Sequence, residues 1–243
     1  QKASLRRYGR ELKKHLGRFE LSILLMTGLI MGGLWAFMEL ADAVLEGEAH
    51  RFDTALLLMM RSSDDLSDPL GPRWVEELGR DYTALGGLGI LVILTLATIC
   101  YLLLTRRRQI ALLVLATVGG GLLLSALLKM GFGRPRPDLV PHASYVYSTS
   151  FPSGHSMMAA ATYLTLGALL ARVHARQAEK VYFLILAVFL TVVVGISRVY
   201  TGVHWPTDVL AGWTAGAVWA LFCWLVALWL QHRGMESDTE RPA

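Results

Sequence analysis

Thr149–Leu170 reads TSFPSGHSMMAAATYLTLGALL. From Ser156 to Ala171 the chain is small or apolar and carries no charge. A proline, a serine, a glycine and a histidine stand at its mouth. Five further apolar runs flank it: Leu21–Met38, Ala84–Leu104, Ile110–Leu128, Val181–Ile196 and Val209–Leu230. A bilayer span needs about 17–25 residues. The Ser156–Ala171 and Val181–Ile196 runs are short for this, so their ends must extend into flanking polar residues. Backbone groups in lipid need partners within their own segment, which a helix supplies. Hydrophobic residues make up 54% of the 243, too many for an ordinary soluble domain. The fold class expected is therefore all-α: a polytopic membrane protein with six transmembrane helices in a bundle.

Lysines and arginines orient such a bundle, because they favour the cytoplasmic side. They crowd residues 1–20, the Arg106-Arg107-Arg108 loop, and the loop with Arg172, Arg176 and Lys180. These segments fall on one side if all six runs span. The expected division is a basic cytoplasmic segment at 1–20, a membrane domain at 21–230, and a polar cytoplasmic tail at 231–243. In residues 39–83 aspartates and glutamates outnumber arginines, so the segment belongs on the far side. Within them Phe52–Met60 is too short to span and suits an interfacial helix. Both termini are then cytoplasmic. The net charge of +4 is bunched at span ends, and no nucleic-acid partner is expected. Cys100 and Cys223 lie inside apolar runs, which points to neither a disulfide framework nor a metal cluster.

Two far-side segments break the charge rule, Lys129–Phe151 and Ser197–Asp208. Basic residues kept there against the bias suggest a task other than topology. KMGFGRPRP (Lys129–Pro137), PSGH (Pro152–His155) and SRVYTGVHWPTD (Ser197–Asp208) all lie at the same end of the bundle. Lys129, Arg136 and Arg198 suit a phosphate, whose oxygens arginine grips in pairs. Ser153 and Gly154 open a helix, and helix starts present N–H groups and partial positive charge to anions. His204 and Asp208 are four apart and share a face if that stretch is helical. A carboxylate on one imidazole nitrogen fixes the tautomer and leaves the other nitrogen as nucleophile or base. His155 is a second imidazole, suited to general acid work. Taken singly, each residue has an ordinary alternative: Lys129 snorkelling, the prolines stopping a helix, Arg198 anchoring at headgroups.

Lys129-x6-Arg136-Pro137, then Pro152-Ser153-Gly154-His155, then Ser197-Arg198-x5-His204-x3-Asp208 resembles the three-part signature of the type 2 phosphatidic-acid phosphatase superfamily. Order and spacing match at every signature position, and the six spans resemble the membrane-bound bacterial branch. The resemblance implies a phosphatase with no metal and no cofactor. It implies that His204 attacks phosphorus to form a phosphohistidine and that Asp208 orients it. His155 would protonate the leaving oxygen and then activate water. Lys129, Arg136, Ser153, Gly154 and Arg198 would hold the phosphoryl oxygens. The site would face the non-cytoplasmic side of a bacterial inner membrane and take a lipid phosphate. Phosphatidic acid, phosphatidylglycerol phosphate, undecaprenyl pyrophosphate and lipid A all remain open, as do a lipid phosphotransferase and a non-enzymatic phospholipid-binding or transport protein.

Gly28-x3-Gly32 and Gly212-x3-Gly216 have the spacing of close helix contacts. They are expected to pack helices; an oligomer is allowed but not indicated. The tryptophans near the ends of the Val209–Leu230 run read as interface belts.

Overall fold

The structure is a computed structural model that describes residues 2–142 and 148–239, with side chains over 20–142 and 148–232. The basic side chains of residues 1–19, and Arg233 and Arg241, lie outside the described side chains. Among the described residues every regular element is helical: α1 (Lys2–Leu45), α2 (His50–Leu58), α3 (Arg73–Leu85), α4 (Leu88–Leu104), α5 (Arg108–Gly131), α6 (Gly154–Val173), α7 (Gln177–Tyr200) and α8 (Pro206–Thr239).

Five helices are long and apolar enough to cross a membrane: α1 over Glu20–Leu45, α5, α6, α7 and α8 over Pro206–His232. The sixth span differs from the sequence expectation. The apolar run Ala84–Leu104 is broken at Gly86-Gly87, where α3 and α4 meet at 47°. The seventeen residues of α4 rise about 26 Å, a little short of a ~30 Å hydrocarbon core. Taken together, α3 and α4 are long and apolar enough for a sixth, bent span. Ala84 and Leu85 at the end of α3 are apolar like α4, so the apolar run extended across the corner.

The shortness of the Ser156–Ala171 run has a packing cause. α6 is the central helix, and 61% of its apolar window is buried, against 11% for that of α1. It packs on α5, α7 and α8, while α1 lies against α8. Because α6 faces protein rather than lipid, small residues serve better than long apolar ones, and Ala159, Ala160 and Ala161 are fully buried. Leu24, Ile93, Leu123 and Ile185 instead point outward from their helices, as lipid-facing side chains do.

Glycine and tryptophan bolt α8 in place. A Cβ on Gly120 or Gly195 would overlap the indole of Trp219 or Trp213. Those indoles donate to the carbonyls of Thr117 at 2.9 Å and Thr191 at 3.0 Å. Trp205 donates to Pro135 O at 3.1 Å. Trp213, near the start of the run, is thus a packing piece rather than part of an interface belt, and Trp205 and Trp219 pack in the same way. Gly212 and Gly216 form the α6–α8 seam. By contrast, Gly28 and Gly32 have nothing within 4 Å of an added Cβ among the described residues, so that pair makes no close helix contact there. Gly216→Val would drive a side chain into the Met157 carbonyl and to 2.8 Å from Ala160 Cβ. It is expected to destabilise by about 1–3 kcal/mol or more, read as a lower Tm in detergent. Gly28→Val, with the same change of residue in open space, should move Tm little.

Candidate functional site

α5 and α7 end, and α6 and α8 begin, at one end of the bundle, and α2 lies against α8 there. That end collects the three quoted segments. α8 opens with Pro206, a residue whose fixed φ and missing N–H suit a first helical position. Two turns of chemistry follow from this start. Asp208 Oδ2 accepts from Trp205 N at 2.9 Å, so the carboxylate reaches back to cap its own helix. The same oxygen lies 3.3 Å from His204 Nδ1 and accepts from Ser150 Oγ.

His204 and Asp208 are both buried. Arg136 Nη1 lies 3.3 Å from His204 Nε2. A guanidinium only donates, so Nε2 must accept there and Nδ1 must carry the proton toward Asp208. Burial pushes the His204 imidazole down to about 4, against the pull of Asp208; the positive charges of Arg198 and Arg136 act in the same direction as burial. His204 is therefore neutral near pH 7, with its Nε2 lone pair turned toward the basic side of the site.

Arg136 is held by carbonyls, donating from Nη1 to Val203 O at 2.6 Å and from Nε to Ser148 O at 2.9 Å. Lys129, in the last turn of α5, donates to Thr149 O at 2.9 Å and to Ser148 Oγ at 3.3 Å. Arg198, in the last turn of α7, is buried. Its Nε has no hydrogen-bond partner among the described residues, a costly arrangement for a buried charged group.

Ser153 is the N-cap of α6, and its Oγ accepts from Ser156 N and Ser156 Oγ. Its backbone N–H is bound to Asp208 O at 2.9 Å. That donor is thus committed inside the protein, contrary to the expectation that it faces a ligand. Gly154 and His155, in the first turn, have N–H groups with no carbonyl one turn back. A Cβ on Gly154 would meet Ser125 Oγ at 3.3 Å and Lys129 Cε at 3.4 Å, so glycine keeps this wall thin. His155 is partly exposed and lies against the α3–α4 corner. There an added Cβ on Gly86 would meet His155 O at 3.3 Å.

Sequence reasoning passed over Arg134, Asp53, Thr207 and Ser150. Arg134, two before Arg136, donates from Nη1 to Asp208 Oδ1 at 2.6 Å and to Thr207 Oγ1 at 2.8 Å. Its Nη2 meets Asp53 Oδ2 at 2.5 Å, and its guanidinium lies 5.6 Å from the centre of the Trp205 ring. Asp53, on α2, is fully buried and accepts from Thr207 N at 2.9 Å and Thr207 Oγ1 at 2.6 Å. Ser150 completes the set. Arg134 sat inside a quoted motif, and its proximity to Arg136 was the available signal. Asp53 stands among many acidic neighbours, and nothing local separates it from them. Among the described residues no three His, Cys, Asp or Glu side chains gather as a metal-ligand set.

Residues 109–231 match the PAP2 superfamily, the type 2 phosphatidic-acid phosphatases. The chain is 39% identical over 149 residues to phosphatidylglycerophosphatase B of Bacillus subtilis, spanning 59% of this chain and 70% of that protein. It is 30% identical over 178 residues to lipid A 1-phosphatase of Rhizobium etli, spanning 64% and 72%. The crystal structure of a transmembrane PAP2 type phosphatidylglycerolphosphate phosphatase from Bacillus subtilis superposes with a TM-score of 0.68 at 28% identity, covering 88% of this chain and 98% of that one. With half of its length matched and its helices superposed on a membrane-embedded relative, the chain belongs to the PAP2 superfamily.

Proposed function

We propose that this multi-pass membrane protein hydrolyses the phosphate of a lipid through a phosphohistidine on His204. The observation that carries the reading is the buried His204–Asp208 pair, with Nδ1 toward the carboxylate and Nε2 toward Arg136. In the first step Nε2 attacks phosphorus, the P–N bond forms, and the P–O bond to the lipid breaks. His155 gives its proton to the leaving oxygen. In the second step His155 takes a proton from water, whose oxygen displaces His204 and releases inorganic phosphate. Asp208 stabilises the positive imidazole of the intermediate. Lys129, Arg136 and Arg198, with Gly154 at the α6 start and the Ser153 hydroxyl, hold the equatorial oxygens. A phosphoryl oxygen also offers an acceptor to the Arg198 guanidinium.

The relatives act on phosphatidylglycerophosphate and on lipid A 1-phosphate, so the proposed substrates are lipid phosphomonoesters, with lipid pyrophosphates beside them. The site end of the bundle is assigned to the non-cytoplasmic face of a bacterial inner membrane, because the opposite end carries Arg106, Arg107, Arg108 and Arg172. The test is phosphate release by purified protein in detergent from phosphatidic acid, phosphatidylglycerol phosphate, undecaprenyl pyrophosphate and lipid A, each with and without EDTA. Release from at least one, unchanged by EDTA and requiring no acceptor lipid, is the expected result. Loss of all turnover on chelation would overturn the metal-free mechanism, and turnover only with an acceptor lipid would make it a transferase. Cysteine labelling at Arg107 from outside intact cells would reverse the assigned orientation.

A further inference from the structure

Asp208 has two oxygens, and the structure gives them different company. Oδ2 serves the dyad through His204 Nδ1, Trp205 N and Ser150 Oγ. Oδ1 serves Arg134. Alone, a guanidinium at 2.6 Å would largely neutralise Asp208 and weaken its hold on the imidazole. Arg134 is not alone, because its other nitrogen meets Asp53 at 2.5 Å. Both carboxylates are fully buried. Two carboxylates around one guanidinium leave one net negative charge beside His204. In this dry setting that charge acts with little screening.

We propose that Asp53, acting through Arg134, is a positioning residue that keeps Asp208 aimed and charged toward His204. This rests on the reading above that His204 is the nucleophile. Asp53 works by two routes. It grips the backbone N–H and hydroxyl of Thr207, the residue before Asp208, which fixes the first turn of α8. It also shares Arg134 with Asp208, so the cation supports the carboxylate without cancelling it. Asp53 lies outside the residues matched to the family, 109–231, whereas Arg134, His204 and Asp208 lie within them. It gives a task to the acidic segment between the first two spans. A carboxylate that only caps α8 would account for the Thr207 bonds but not for the shared guanidinium.

The sign of the effect separates these roles. The charged or titratable groups facing His204 are Asp208 on α8, Arg136 before α6, Arg198 on α7 and His155 on α6. All four stay in place in the test variants. Asp53→Asn keeps an oxygen for Thr207 N–H and removes one negative charge, which disfavours the protonated imidazole. Arg134→Gln removes one positive charge and favours it. The experiment is a titration of His204 by 15N-histidine NMR in detergent micelles, with kcat and KM for a lipid phosphate against pH. Expected are a His204 midpoint moved down in Asp53→Asn and up in Arg134→Gln. The expected kcat loss is roughly 10- to 100-fold in each, with KM held within about threefold. Midpoints that stay put or move together, with kcat retained and only Tm lowered, would overturn the proposal. If Asp53→Asn cannot be purified folded, Arg134→Lys answers instead. A single ammonium cannot bridge both carboxylates as the fork does, so an unchanged kcat there would overturn it. Should the wild type release no phosphate from any lipid, the functional reading fails, and the NMR midpoints still decide whether Asp53 acts on His204.

Discussion

His204→Ala is expected to abolish phosphate release, with kcat lower by at least ~10^4-fold, because no other group can take its place at phosphorus. The structure supports the size of this loss. His204 is buried, held by Asp208 on one nitrogen, and faced by Arg136 on the other. Water replacing it would be unactivated and unaligned. Rapid quenching in alkaline detergent after mixing with a lipid carrying 32P in its phosphate should give a base-stable, acid-labile phosphoprotein in the wild type and none in His204→Ala. Full turnover by the variant would end the phosphohistidine mechanism. Folding is checked by Tm, since an alanine at this site leaves an internal gap but breaks no helix.

The second large effect concerns His155 and divides the two steps. With a lipid alkoxide leaving, His155→Ala should lose about 10^2–10^4-fold in kcat, the usual worth of general acid–base catalysis. With p-nitrophenyl phosphate the leaving oxygen needs no proton, so the first step should run at close to the wild-type rate. The second step still lacks its base. Phosphohistidine should then accumulate, visible as a burst of one nitrophenolate per protein followed by slow release. Equal losses on both substrates with no burst would remove the acid role. A variant as active as wild type on lipid would remove His155 from the mechanism altogether.

Much of this protein is legible in local order. The apolar runs announce helices because a span must satisfy its own backbone, and their flanks announce which ends lie together. Ser153 and Pro206 mark helix starts by rules that act over a few residues. Lys129, Arg136, His155, Arg198, His204 and Asp208 can be named together because their chemistry is unusual at a bundle end.

Other features depend on contacts that the one-dimensional pattern does not carry. The bend at Gly86-Gly87 lies where the polar, charged α3 gives way to the apolar α4, and the angle between them is a tertiary feature. Tyr163 Oη donates to Leu85 O at 2.7 Å at this corner. Gly28-x3-Gly32 and Gly212-x3-Gly216 look alike in sequence, yet among the described residues only the second lies within 4 Å of another helix.

The sequence by itself determined an all-helical membrane bundle and the residue types proposed to meet a phosphate, because spans and helix ends obey short-range rules. Only the tertiary structure decided that Asp53 joins Arg134, 81 residues away, and Thr207, 154 residues away. One buried carboxylate among many exposed ones is chosen by three-dimensional packing. A guanidinium placed next to Asp208 in a dry interior needs a second negative partner, and α2 is the element that brings it.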